Sequence, residues 1–267
     1  MSQTITCKYL ITLFIGILLL STINSSARAK NLTKEPVIHL AHKVLIVISS
    51  DKHGYWLPEV TEPYRILEDA GYHIDIASPL GDVGRASGRS RLSTSDSRWL
   101  PQSSLAEKLD QPIALQDIHP TQYQAIYFAG GAGPMFDLVD NQESHRIVRE
   151  IYENGGLVSA DCHGPVALLN VKLSNGNRLI SGKKLTAKAN IEEGRWAHNN
   201  YPFLLEDKIS ALGGQYFAGP KGEKHVVIDG RLITGQNPNS ALPMAKVLVK
   251  QLQSRKAIIS DKNSKSD

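Results

Sequence analysis

Cysteine is nearly absent, with two residues in 267. Cys7 lies ahead of an apolar run from Tyr9 to Leu20, which leaves Cys162 as the one thiol of the remaining chain. A single thiol excludes an intramolecular disulfide. Long apolar runs are missing too. Tyr9 to Leu20 spans about 12 residues, short of the roughly 20 that a membrane-spanning helix needs. Lys8 precedes the run and a polar stretch ending Ala27-Arg28-Ala29 follows it, the order of a secretory signal peptide. Residues 1–29 are therefore expected to be removed and the mature chain to start near Lys30, giving a periplasmic or secreted protein with no stable membrane span. A retained anchor is the alternative.

Excess charge of one sign is also lacking. Thirty Lys and Arg face 26 Asp and Glu, and loss of residues 1–29 removes only Lys8 and Arg28, for a net charge of about +2. No basic cluster is interleaved with aromatics, so a nucleic-acid partner is not expected. The histidines, His39, His42, His53, His73, His119, His145, His163, His198 and His225, show no close ligand spacing, so no metal site is expected. No glycine-rich turn follows the first apolar strand and no lysine stands in a phosphate-binding pattern, which argues against a nucleotide cofactor. No internal repeat is present.

What remains is enough chain for one domain with a substantial core. Val44 to Ser50 is a continuous, β-branched apolar run, the pattern of a strand buried on both faces of a parallel sheet. A helix is predicted after Pro58, with Val60, Tyr64, Ile66, Leu67 and Ala70 at helical spacing and Gly71 closing it. Strands are predicted at 72–78, 124–129 and 157–161, and helices at 143–154, 202–212 and 240–252. A hairpin-like pair is predicted at 178–180 and 184–187, and strands at 224–229 and 231–234. The Gly-, Ser-, Arg- and Pro-rich stretch 79–120, with helical hints at 104–109, reads as a partly ordered flap over a site. The polar tail 254–267 reads as disordered. Alternating strands and helices imply an α/β fold: one flavodoxin-like, doubly wound, mostly parallel sheet with helices on both faces, a single domain over 30–253.

Two turns carry the chemistry. Ser159-Ala160-Asp161-Cys162-His163-Gly164-Pro165 follows a predicted strand, and the small residues Ala160 and Gly164 flank Cys162 as a strained strand-to-helix turn requires. A following helix N-terminus favours thiolate and lowers the thiol pKa. A plain buried cysteine is the alternative. Gly130-Gly131-Ala132-Gly133 also ends a strand, and backbone N–H groups of Gly131 and His163 could bind an oxyanion there. Glu59 opens the first helix, where a carboxylate can merely complement the dipole, but it also lies beyond the carboxyl end of the first strand, where the thiol projects. Of the pair Glu192-Glu193, either could orient His163. His53 and His198 are loop candidates for substrate contact.

These motifs resemble the ThiJ/PfpI branch of the class I glutamine amidotransferase-like superfamily, in particular its heat-inducible chaperone and glutathione-independent glyoxalase III members. Ala160 to Pro165 resembles the family's cysteine elbow. Gly54 to Glu59 with Pro63-Tyr64, then Ala70-Gly71-Tyr72 and Ala77-Ser78-Pro79, resembles its opening helix and second strand. Asp229 to Ser240 resembles its closing hairpin and helix. The resemblance implies Cys162 as nucleophile, His163 as the adjacent histidine, Glu59 as the acid touching the thiol, Glu193 as the better choice for the third triad member, and Gly130 and Gly131 at the oxyanion. It implies conversion of methylglyoxal or glyoxal to the hydroxy acid without glutathione or any other cofactor, with protein deglycase activity as an extension and a homodimer as the assembly. A cysteine amidase or peptidase, or a non-enzymatic chaperone or oxidation sensor, are the alternatives. The chain departs from the family pattern at Ala132, where histidine is usual, and at Asp161, where a small apolar residue is usual. An ionised Asp161 facing the thiolate would raise its pKa, whereas strand alternation could turn it away.

Overall fold

The structure, a computed structural model, describes residues 42–264. The expected signal peptide, 1–29, lies outside the described residues. In chain order the elements are β1 (Lys43–Val47), β2 (Tyr55–Trp56), α1 (Pro58–Asp69), β3 (His73–Ser78), β4 (Ala86–Ser87), α2 (Thr94–Trp99), α3 (Ser104–Asp110), β5 (Ile113–Ala114) and β6 (Ala125–Phe128). Next come α4 (Pro134–Asp137), α5 (Gln142–Glu153), β7 (Leu157–Asp161), β8 (Lys184–Leu185), α6 (Arg195–Asn200), α7 (Leu205–Ala211), β9 (Gln215–Tyr216), β10 (Val226–Asp229), β11 (Leu232–Gly235) and α8 (Ala241–Ser264). Seven strands form one sheet in the order β10-β11-β7-β6-β1-β3-β5, parallel except where β10 pairs antiparallel with β11. This is the expected doubly wound α/β sheet.

The continuous apolar run explains why β1 lies inside the sheet. Leu45 and Val47 face a core shared with Ile147, Val148 and Ile151 of α5 and Leu205 and Ile209 of α7. Val44, Ile46 and Ile48 face the other core, with Val60, Tyr64 and Leu67 of α1 and Met244, Leu248 and Leu252 of α8. A strand covered on both faces has no solvent side, so period-2 alternation disappears from its sequence. Gly71, at φ +83°, ends α1 as predicted, a conformation that costs a residue without a Cβ little.

Three expectations need correction. Residues 79–120 are more ordered than the partly ordered flap expected: they fold into β4, α2, α3 and β5, with α3 where the helical hints at 104–109 lay, and bury Leu100, Leu105, Leu109, Leu115 and Ile118. Among these pieces only α3 buries apolar side chains, Leu105 and Leu109, and the other buried apolar residues fall singly between elements, too few to show periodicity. The predicted hairpin at 178–187 does not form. Arg178 bridges back to Lys172, while β8 pairs in parallel with β9, because the carboxylate of Asp229 draws the Lys184 N–H and the Lys183 ammonium toward the β10–β11 turn. Finally, α8 continues to Ser264, so 254–264 is helical where an unstructured tail was expected.

Candidate active site

The carboxyl ends of β1, β6, β7 and β11 meet at one edge of the sheet, and β7 delivers Cys162 there. Cys162 has φ +55°, the one positive φ among the described non-glycine residues. Such a backbone is strained, and three hydrogen bonds hold it. The Cys162 N–H donates to the Gly235 carbonyl at 3.1 Å and to Asp161 Oδ1 at 2.9 Å, and its carbonyl accepts from the Lys188 N–H at 2.8 Å. Gly164 is small because a Cβ would collide with the Phe128 carbonyl. At Gly130 a Cβ would stand 2.5 Å from Glu59 Oε2 and 2.7 Å from the Cys162 Cβ. Both glycines thus let backbone close around the thiol.

The thiol is buried, and two side chains address it. Glu59, fully buried, is hydrogen-bonded to Cys162, while its Oε2 accepts the Gly130 N–H at 2.7 Å. On another side Sγ lies 3.5 Å from His163 Nδ1, and His163 Nε2 lies 2.9 Å from Glu193 Oε1. With the ring proton on Nε2, donated to Glu193, Nδ1 presents a lone pair to sulfur, the tautomer of a general base. Glu192 is directed elsewhere: its Oε1 accepts from the Gly222 N–H, Gln236 and Asn237, and its Oε2 pairs with Lys188 at 3.3 Å. The geometry therefore separates the two acids that their sequence could not.

Gly130 cannot serve the oxyanion through its N–H, which Glu59 already occupies. Gly131, at φ +107°, has an N–H with no acceptor among the described residues, and so does His163. These two remain as donors.

The electrostatics overturn one expectation. Burial, and next the Glu59 carboxyl, push the Cys162 thiol well above its ordinary pKa. The helix meant to lower it is only a short 3-10 segment, Gly164–Leu168, too brief for a strong dipole to offset desolvation. Burial likewise pushes Glu59 up to about 8, opposed by its bonds to Gly130 and Cys162. Lys188 is the cation whose field favours charge on Cys162, Glu59 and Asp161 alike. Nothing in the sequence marked Lys188, since a lysine in a polar loop resembles any solvated one. Asp161 is not turned away from the site: it is fully buried and caps the cysteine's own N–H.

Tyr201 sits edge-on to His163, with ring centroids 5.1 Å apart, and Trp196, Phe136 and His53 extend this aromatic wall toward solvent. His53 belongs to that wall, stacked on Phe136 and bonded to Asp51. His198 lies exposed on α6. A cavity of about 480 Å³, lined by Trp56, Pro58, Glu62, Lys188 and Glu192 among others, opens beyond Lys188. Among the described residues no group of three His, Cys, Asp or Glu side chains is placed to hold a metal ion, and no helix is long and apolar enough to cross a membrane.

Residues 42–251 match the DJ-1/PfpI family. The chain belongs to that family. Among solved structures, this DJ-1/PfpI protein is similar to the Francisella tularensis Rapid Encystment Protein 24 kDa, at 34% identity and a TM-score of 0.74 over 79% of this chain and 98% of that one. It is also similar to glyoxalase III from Candida albicans, at 25% identity and a TM-score of 0.73 over 78% of this chain and 96% of that one. A curated relative, a probable glutathione-independent glyoxalase of Schizosaccharomyces pombe, is 30% identical over 74% of this chain and 90% of its own length.

Proposed function

We propose that this DJ-1/PfpI protein is a glutathione-independent glyoxalase that converts methylglyoxal or glyoxal to the corresponding hydroxy acid. The observation that carries the reading is one buried thiol touched by both a carboxyl and an imidazole, in a chain whose relatives include glyoxalase III. Cys162 Sγ adds to the aldehyde carbon and its proton passes to Glu59 or to His163 Nδ1. The new oxyanion is met by the N–H groups of Gly131 and His163. A proton leaves the former aldehyde carbon for the base and is returned to the neighbouring carbon, while the proton taken from the thiol goes to that carbon's carbonyl oxygen, giving a thioester beside a hydroxyl. Water hydrolyses the thioester and frees the thiol.

A thiol that is neutral at rest suits this chemistry. A proton that moves as the bond forms avoids a buried thiolate waiting beside a carboxyl. The purified protein is expected to form lactate from methylglyoxal with no glutathione present, and Cys162→Ala to abolish it. Absence of turnover by the intact protein would sink the proposal. Release of ammonia or peptides from amide substrates instead would favour the cysteine hydrolase. Export belongs to the same reading, supported by the order of residues 1–29. Sequencing the N-terminus of the protein recovered outside the cytoplasm is expected to read from near Lys30.

A further inference from the structure

The cavity of about 480 Å³ lies beside the reacting groups without containing them: Cys162, Glu59, His163 and Glu193 are not in its lining. It is joined to them through chain neighbours. Pro58 precedes Glu59, Glu192 precedes Glu193, and Lys188 gives its main-chain N–H to the Cys162 carbonyl at 2.8 Å. Its volume falls within the roughly 300–1,000 Å³ of small-molecule sites.

The wall is unevenly charged. Three cations, Arg91, Lys188 and Lys221, stand against two acids, Glu62 and Glu192. Glu192 has nothing left to offer, since Oε1 accepts from the Gly222 N–H, Gln236 and Asn237 while Oε2 pairs with Lys188. Glu62 is drawn to the first turn of α8, where its carboxyl accepts the Leu242 N–H. Arg91 and Lys221 have neither an ion pair nor a side-chain hydrogen bond among the described residues, and the Trp56 indole N–H has no acceptor there. Two unbalanced positive charges and a free indole donor thus border one concave space.

The two cations come from separate segments whose main chains are fixed. Arg91 closes the 3-10 turn Arg89–Arg91, with its N–H on the Gly88 carbonyl at 2.9 Å. The loop of Lys221 is pinned at Gly222, which donates its N–H to Glu192 Oε1 and accepts from Asn239 Nδ2, each at 2.6 Å. Positive groups around a concave, partly apolar wall focus their field into it, and a backbone already in place lowers the cost of binding. Trp56, Pro58 and Pro238 supply the apolar part. The indole is itself held, since the main chain at Gly88 lies so close that a Cβ there would stand 2.9 Å from the ring.

We propose that this cavity binds a small organic anion, with its carboxylate or phosphate on Arg91 and Lys221 and its carbon skeleton against Trp56. Lys188, already tied to Glu192, adds positive field. The site is separate from that of the thiol, and the proposal does not depend on which substrate Cys162 takes.

Calorimetric titration of the purified protein with glycerol 3-phosphate, glycerate, inorganic phosphate and glycerol tests it. One equivalent of glycerol 3-phosphate or of glycerate is expected to bind, and the tighter of the two tells phosphate from carboxylate. Inorganic phosphate, with no skeleton, is expected to bind more weakly, and glycerol not at all. Arg91→Gln and Lys221→Gln are each expected to weaken binding about tenfold, the loss of one charge-assisted contact. Arg98→Gln, which removes an exposed cation outside the cavity, is expected to leave it unchanged. Both rim cations are exposed, so their variants are expected to fold, as circular dichroism checks. Binding is expected to change the tryptophan fluorescence of the native protein but not of Trp56→Phe. The proposal is overturned if neither organic anion binds, if phosphate or glycerol binds as tightly as they do, or if Arg91→Gln and Lys221→Gln bind like the native protein. Cys162→Ala is expected to bind like the native protein, so the result stands whatever the glyoxalase assay shows. Loss of binding in Cys162→Ala would place the anion at the thiol and overturn the separate site.

Discussion

At the scale of single residues the site depends on which of two adjacent glutamates reaches His163. Glu193→Gln keeps an acceptor for Nε2–H but removes the charge that steadies an imidazolium after proton transfer. We expect kcat/KM for methylglyoxal to fall on the order of a hundredfold, with little change in KM. Glu192→Gln is expected to cost stability more than chemistry, since Glu192 ties Gly222, Gln236, Asn237 and Lys188 together. Steady-state kinetics and thermal melts of the two variants separate these outcomes, and equal kinetic losses would contradict the triad. Sequence spacing could not choose between neighbours, because a 3-10 turn over Asn190–Glu192 decides which carboxylate points inward.

At the scale of elements, the elbow joins a central strand to a short 3-10 turn and holds a non-glycine residue at positive φ. Its small flanking residues were legible in the sequence, because close backbone packing demands them. The strain predicts an inversion of the usual ranking of Ala over Gly. Cys162→Gly is expected to be more stable than Cys162→Ala by about 1 kcal/mol, since glycine adopts this backbone without a Cβ penalty. Chemical denaturation of both variants measures it, and an Ala variant equal or superior would show that the backbone relaxes. Gly130→Ala is expected to destabilise by about 1–3 kcal/mol, because its methyl would land on Glu59 and on Cys162. The sequence marked this glycine as an oxyanion donor; the structure gives its N–H to Glu59 instead.

At the scale of the whole molecule, burying several acids beside the thiol ties stability to pH. Glu59 is raised from 4.5 to about 8, and Asp161 is raised as well, chiefly by burial. The folded state then holds protons that the unfolded chain releases, so stability is full below the unfolded carboxyl pKa and falls as pH rises toward 8. The denaturation midpoint is expected to drop between pH 5 and pH 8, by on the order of a few kcal/mol in stability, and Glu59→Gln to flatten that slope. An unchanged slope in Glu59→Gln would place the dependence elsewhere.

Much of the architecture was readable directly. Strands covered on both faces appear as unbroken apolar runs, helices end at glycine, and the alternation of the two sets the doubly wound order. The elbow was readable for the same reason, its residue types being dictated by local backbone geometry. The segment 79–120 was not, because its short helices each bury too little to leave a period. Nor were the state of the thiol, the commitment of Gly130 to Glu59, or the presence of Lys188 beside the sulfur, while spacing left Glu192 and Glu193 equal and only the family resemblance favoured Glu193. These depend on which groups from β1 to β11 share a water-poor space once the sheet has formed. The sequence by itself determined the elbow that presents Cys162 and the sheet that carries it, while desolvation and proximity, which exist only in the folded chain, decided where the protons rest.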